Sequence, residues 1–242
     1  MNRDSNAYTF IFAAVMVIVV ASALAIAATS LQPMQAENVR KEKMQNILST
    51  IGIEVERDQA EQEFNAYIKE EIALTSEGDI DESVNAFNID LAKELKKPVE
   101  EQRFPLYRAE VDGKSYFIIP LRGAGLWDAI WGYISLEDDI NTIKGAVFDH
   151  KGETPGLGAE ITQSWFEERF QEEKIFDPES GDFVGVTVMK GYSGGNDKND
   201  NAIDAISGAT ITGDGVTDMI YNRLQYYLPY LKEKNVKVAL NN

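Results

Sequence analysis

No charged residue falls between Asp4 and Glu37, and within that gap residues 7–28 (AYTFIFAAVMVIVVASALAIAA) form an almost unbroken apolar run. A bilayer core takes about 20 apolar residues of helix, so the run can span it. A secretory signal peptide is the competing reading, because Ala25, Ile26 and Ala27 resemble a small-residue cleavage site. Its apolar region would be about 7–15 residues, shorter than this one, and the expectation is an uncleaved single-pass anchor. Helices that carry ions or protons usually hold an acidic, basic or histidine side chain, and this span has none. It is therefore expected to anchor and not to conduct. Arg3 and the α-amino group before the span, and Arg40, Lys41 and Lys43 after it, leave the orientation undecided by charge.

The chain beyond the span must fold in water. The 242 residues make one large domain or two small ones, and 44% hydrophobic content is ample for a core. Forty acidic against 23 basic residues give a formal charge of −17, which argues against a nucleic-acid partner held through phosphates. With no cysteine, disulfides, thiolate metal sites, iron–sulfur clusters and thiol nucleophiles are excluded. One histidine, His150, cannot build a multi-histidine metal cage, so no metal ligand is assigned. Redox chemistry here needs an organic cofactor.

Periodicity divides the remainder. Residues 32–51 read as a helix leaving the membrane, with Val39, Ile47, Leu48 and Ile51 on one face, and residues 58–72 as a second amphipathic helix carrying Ala60, Phe64, Tyr67, Ile68 and Ile72. From Leu106 the texture changes to β-branched and aromatic runs at 106–121, 131–137, 142–149 and 183–189. Asp112-Gly113 between two such runs predicts a tight hairpin. Residues 160–170 and 215–232 return to helical spacing, with Thr212 or Asp214 as N-cap of the last helix and Pro229 kinking or ending it. Residues 191–201 read as a hairpin or surface loop; Asp197 to Asn201 start like a calcium loop, but Ala202 and Gly208 occupy its glycine and glutamate positions. The fold class expected is α+β, a mixed or antiparallel sheet with flanking helices behind one transmembrane helix. The expected divisions are an anchor at 1–31, a helical membrane-proximal linker at 32–104 and a globular domain at 105–242.

Three glycine-containing segments look able to hold a planar phosphorylated ligand: 123–127 (GAGLW), 150–159 (HKGETPGLGA) and 204–212 (DAISGATIT). Glycines permit close backbone approach, Leu126, Trp127 and Leu157 offer apolar surface, and Thr154, Ser207 and Thr210 offer hydroxyls. Each has a plainer reading as well: Trp127 as core, His150 as a satisfied strand-end histidine, and 204–212 as a turn leading into a helix. A helix start is itself a phosphate site, so for the last segment the two readings coincide. No phosphate-loop, dinucleotide or nucleophile-elbow pattern is present, and no catalytic residue is assigned.

The segment Asp-Ala-Ile-Ser-Gly-Ala-Thr at 204–210 resembles the flavinylation motif of the covalent FMN-binding domain family. The resemblance implies FMN joined through its phosphate to Thr210 by a dedicated flavin transferase, with Asp204, Ser207, Gly208 and Ala209 as the recognition frame. Glu153, Thr154, Gly156, Leu157 and Gly158, together with Leu126 and Trp127, resemble the companion flavin-contacting segments. With the anchor, the Asn88-Ile89-Asp90-Leu91 and Pro105-Leu106-Tyr107-Arg108 segments and the overall length, the chain is similar to the family of C subunits of sodium-translocating NADH:quinone reductases. That similarity implies an electron-carrying subunit of a complex coupled to sodium export, in a bacterial inner membrane with the flavin domain on the periplasmic face. Its partners would be the other subunits, the transferase and the bilayer. The homologous G subunit of the Rnf-type ferredoxin:NAD complex shares the anchor and the motif, but the long segment before Pro105 favours the C subunit. A reading from another class is an anchored extracytoplasmic binding or scaffold module without redox turnover.

Overall fold

The computed structural model describes residues 5–240, so Arg3 and Asp4, which enter the charge count around the span, lie outside it. The chain divides into two units, Met1–Lys43 and Met44–Asn242. Helix α1, Asn6–Ser49, contains the apolar run, and by length and composition it can cross a membrane. The separate helix expected from residue 32 is a continuation of α1. Pro33 lies within it, and Val39, expected on a packed face, is 65% exposed.

In the second unit α2, Ala60–Tyr67, stops earlier than its periodicity implied, and β1, Ile68–Leu74, follows without a break. Ile68 already has extended backbone, and residues 68–74 pair with the next strand, so tertiary pairing overrides the helical pattern of 58–72. Ile68 and Ile72 are buried as expected, but from a strand. After the short α3, Leu91–Glu94, come β2, Phe104–Val111, β3, Lys114–Ala124, β4, Ala129–Glu137, and β5, Ile143–His150. The five strands form one antiparallel sheet in sequence order. Asp112 and Gly113 both have positive φ, 51° and 78°, as a two-residue type I′ turn demands.

Two clusters of buried side chains explain the continuous apolar stretches 104–107 of β2 and 116–121 of β3. Phe104 and Leu106, with Phe117, Ile119 and Leu121, face one core, while Tyr107, Ala109, Tyr116 and Ile118 face the other. Alternate residues of a strand point to opposite faces, so where both faces are covered the stretch has no polar position, and charge returns at Arg108, Glu110, Lys114 and Arg122 towards the strand ends. Helix α5, Thr210–Leu224, supplies Val216, Met219, Ile220 and Leu224 to the first core, and Met44, Ile47 and Leu48 belong to the second.

Helical spacing at 160–170 becomes α4, Ser164–Glu167, between two short 3-10 turns. The run at 183–189 narrows to β6, Thr187–Met189, which pairs in parallel with β7, Ala202–Asp204. The segment between them is therefore a crossover loop and not a hairpin. Helix α5 begins five residues before the expected Gly215, with Ala209 at the N-cap, so neither Thr212 nor Asp214 caps it. It ends at Leu224, and α6, Leu228–Leu240, takes Pro229 in its first turn, where a missing N–H costs nothing.

Candidate functional site

Three loops meet at the start of α5: residues 125–128 between β3 and β4, residues 151–157 after β5, and residues 205–209 between β7 and α5. They border a cavity of about 530 Å³ lined by Leu126, Glu153, Thr154, Leu157, Gly158, Lys190, Gly191 and every residue from 204 to 212. Ten of the twelve positions singled out from sequence line it, and Trp127 and Gly156 do not.

Glu153 fastens the loops together. It is 4% exposed; Oε1 accepts from the Trp127 amide at 2.9 Å and Oε2 from the Thr212 hydroxyl at 2.7 Å. Its own amide donates to His150 Nδ1 at 3.2 Å, which makes His150 a satisfied residue at the end of β5. Burial works to raise the Glu153 pKa, but the bonds from the Trp127 amide, the Thr212 hydroxyl and the Asp128 amide outweigh it and hold the carboxylate below its ordinary range. Gly125 and Gly158 lie against the same carboxylate, and a Cβ at either position would collide with it. Their glycines are thus explained by packing on Glu153.

Two backbone amides of the segment 153–158 are used inside the protein. The Gly156 amide donates to Glu160 Oε1 at 2.9 Å and the Leu157 amide to the Thr154 carbonyl at 3.0 Å. Trp127, expected to shield a ring, has its indole N–H on Thr154 Oγ1 at 3.1 Å and is 68% exposed at the rim. Leu126 and Leu157, 46% and 40% exposed, supply the apolar wall.

The two threonines of the last segment differ sharply. Thr210, the first residue of α5, is exposed and faces the cavity, whereas Thr212 is 1% exposed with its hydroxyl committed to Glu153. The turn that delivers Thr210 closes through the Ala209 amide and the Ile206 carbonyl at 3.1 Å, and Gly208 within it has φ +81°. A side chain there would be strained and would meet Leu157 Cδ2 at 2.8 Å. The first amides of a helix lack intrahelical acceptors, and α5 presents no side-chain cap, so its start offers N–H groups to an anion. Sequence reading missed Lys190, which brings a cation to the cavity from the end of β6, and missed Thr212 as a structural partner of Glu153. Neither sits in a recognisable pattern, because both depend on the crossover between β6 and β7 and on where α5 starts.

A cavity of this size with apolar walls and a helix start suits a flavin mononucleotide. Residues 125–225 match the FMN-binding domain family, and every residue lining the cavity lies in that range. The fold is shared with the solved C subunit of the Na(+)-translocating NADH-quinone reductase from Parabacteroides distasonis, at 42% identity and a TM-score of 0.75, covering 83% of this chain and 96% of that one. Shewanella oneidensis NqrC superposes with a TM-score of 0.71 at 25% identity, covering 84% and 99%. The C subunit of the Na(+)-translocating NADH-quinone reductase of Pseudomonas aeruginosa is 28% identical over 241 residues, 91% of this chain and 92% of its own. The chain belongs to the family of C subunits of Na(+)-translocating NADH-quinone reductases.

Proposed function

We propose that this chain carries electrons within a Na(+)-translocating NADH-quinone reductase through FMN esterified to Thr210. One observation carries the reading: Thr210 is an exposed residue lining the cavity at the start of α5, whereas the neighbouring candidate Thr212 is buried with its hydroxyl on Glu153. The α5 amides would receive the phosphate, Leu126 and Leu157 would flank the ring, and Lys190 would place a positive charge in the same cavity. FMN supplies the one- and two-electron chemistry, and the protein supplies position and electrostatics. The ester forms between Thr210 Oγ1 and the phosphorus of an activated FMN donor used by the flavin transferase, with loss of the hydroxyl proton and the donor's leaving group. A covalent tether keeps the cofactor at high effective concentration through many electron exchanges.

NADH oxidation and sodium export belong to the assembled complex, because this chain has no nicotinamide fingerprint and no Asp, Glu, Lys, Arg or His in residues 7–28. The flavin-loaded full chain should be reduced by dithionite yet oxidise NADH negligibly until combined with its complex. A rate comparable to that of the complex would overturn the relay reading. The flavin domain is placed on the periplasmic side of the inner membrane. Protease added to intact spheroplasts should digest the chain beyond α1, and full protection would reverse the orientation.

A further inference from the structure

Asp204 closes β7 and opens the segment that ends at Thr210, and what holds it lies behind the cavity. Arg169 donates from Nη1 to the Asp204 carbonyl at 2.6 Å, and the same nitrogen lies 3.7 Å from Asp204 Oδ2. Its guanidinium sits over the Trp165 ring, 4.8 Å from the centroid. Behind it, Lys198 Nζ donates to the Arg169 carbonyl at 2.8 Å and to Glu173 Oε1 at 3.0 Å, a carboxylate that is 2% exposed. Trp165, Arg169 and Glu173 come from the α4 region and the turn after it, and Lys198 from the crossover loop. Of the four, Arg169 alone bonds Asp204; Trp165 and Lys198 contact Arg169, and Glu173 holds Lys198.

The recognition segment is anchored at its far end, where Ile206 and Ala209 are buried in the core and Gly213 N donates to Ala209 O at 2.9 Å. At the Asp204 end the support is thinner: Ala205 N donates to Met189 O at 3.1 Å, and β6 and β7 are three residues each. So short a pair frays readily, because few ladder bonds oppose the backbone entropy released. Thr210 is fixed at the other end by α5. At the Asp204 end, the bond from Arg169 is the side-chain contact that holds the backbone.

We propose that Arg169 is a positioning residue for cofactor attachment: braced by Trp165 and Lys198, it fixes Asp204 relative to Thr210 so that the flavin transferase meets both in one geometry. The inference rests on the reading of Thr210 as the FMN acceptor. The Asp204 side chain is 53% exposed and that of Arg169 30% exposed. A planar guanidinium can stack and donate at once, which a lysine ammonium cannot reproduce.

The test is the rate at which transferase and flavin donor label the full-length chain in detergent, measured against chain concentration. Arg169→Gln and Asp204→Asn should each raise the apparent KM for the chain about tenfold, the size of one lost charge-assisted hydrogen bond, with kcat unchanged. Arg169→Lys should recover part of the loss. Because Arg169 acts through Asp204, the double variant should be no worse than Asp204→Asn alone, an outcome that general loosening of the fold would not produce. A parental KM in either single variant, or effects that multiply in the double variant, would overturn the inference. A parent chain left unlabelled would instead remove the reading of Thr210 on which it rests.

Discussion

The five-stranded sheet and the cofactor cavity are built on opposite principles. Each strand of the sheet is held by a ladder and by apolar side chains on one or both faces, so many residues share the task. The cavity is bordered by loops, a three-residue parallel pair and a helix start, and single side chains decide its shape: Glu153 for the loops, Arg169 for the end of β7, Asn201 for the crossover. Asn201, with φ 57°, donates from Nδ2 to the Lys174 carbonyl at 2.7 Å and brings the crossover loop back to β7. A region of the first kind tolerates small changes and carries stability. One of the second kind can be disarmed by a single substitution while the fold survives.

The largest expected effect lies in the sheet. Phe104, fully buried and stacked on Tyr226 at 4.9 Å between centroids, should cost about 3–5 kcal/mol on replacement by alanine, because a cavity remains and its neighbours relax only partly. Glu153→Ala should cost about 1–3 kcal/mol, from the Thr212 hydroxyl and the Trp127 amide left without their acceptor. Hydrogen exchange separates the two: Phe104→Ala should lower protection throughout the sheet, and Glu153→Ala only around residues 125–128 and the start of α5. Uniform loss in the second variant would erase the distinction between the regions.

A smaller effect comes from two glutamates, one in each region, whose pH responses have opposite sign. Glu153 titrates below its ordinary range in the folded chain, so its contribution is present above the unfolded pKa and is lost as pH falls through the folded value. Glu167 accepts the Phe148 amide of β5 at 2.7 Å; burial raises its pKa from 4.5 to about 7 against that bond, with Glu54 and Asp149 adding to the rise. Its contribution is present below the unfolded pKa and is lost as pH rises through about 7. Glu167→Gln should flatten stability against pH between about 4.5 and 7, and Glu153→Gln should flatten only the acid limb. Chemical denaturation across pH checks both, and an unchanged neutral limb in Glu167→Gln would contradict the burial of that carboxyl.

The same contrast explains how much could be read in the amino-acid sequence. Asp112-Gly113 and the runs of β2 to β5 announced themselves, because a ladder repeats its signal at every second residue. The helical reading of residues 58–72 failed where pairing with β2 claimed Ile68 onward, a partner far along the chain. At the cavity, the sequence identified positions through the resemblance of 125–127, 153–158 and 204–210 to a known family, and ten of the twelve positions singled out line one cavity. It left the work of each residue obscure. Glu153 ties loops, Thr212 is its buried donor, and Lys190 and Arg169 enter from segments with no local pattern, since each contact depends on where two distant loops stop.

The central claim is that one exposed hydroxyl, on Thr210, takes the cofactor. The most direct measurement is the intact mass and peptide map of the denatured chain after expression with its flavin transferase, for the parent, Thr210→Ala and Thr212→Val. The account predicts one FMN phosphoester on the peptide containing Thr210 in the parent and in Thr212→Val, and none in Thr210→Ala. An adduct retained in Thr210→Ala, or mapped to Thr212, would contradict it.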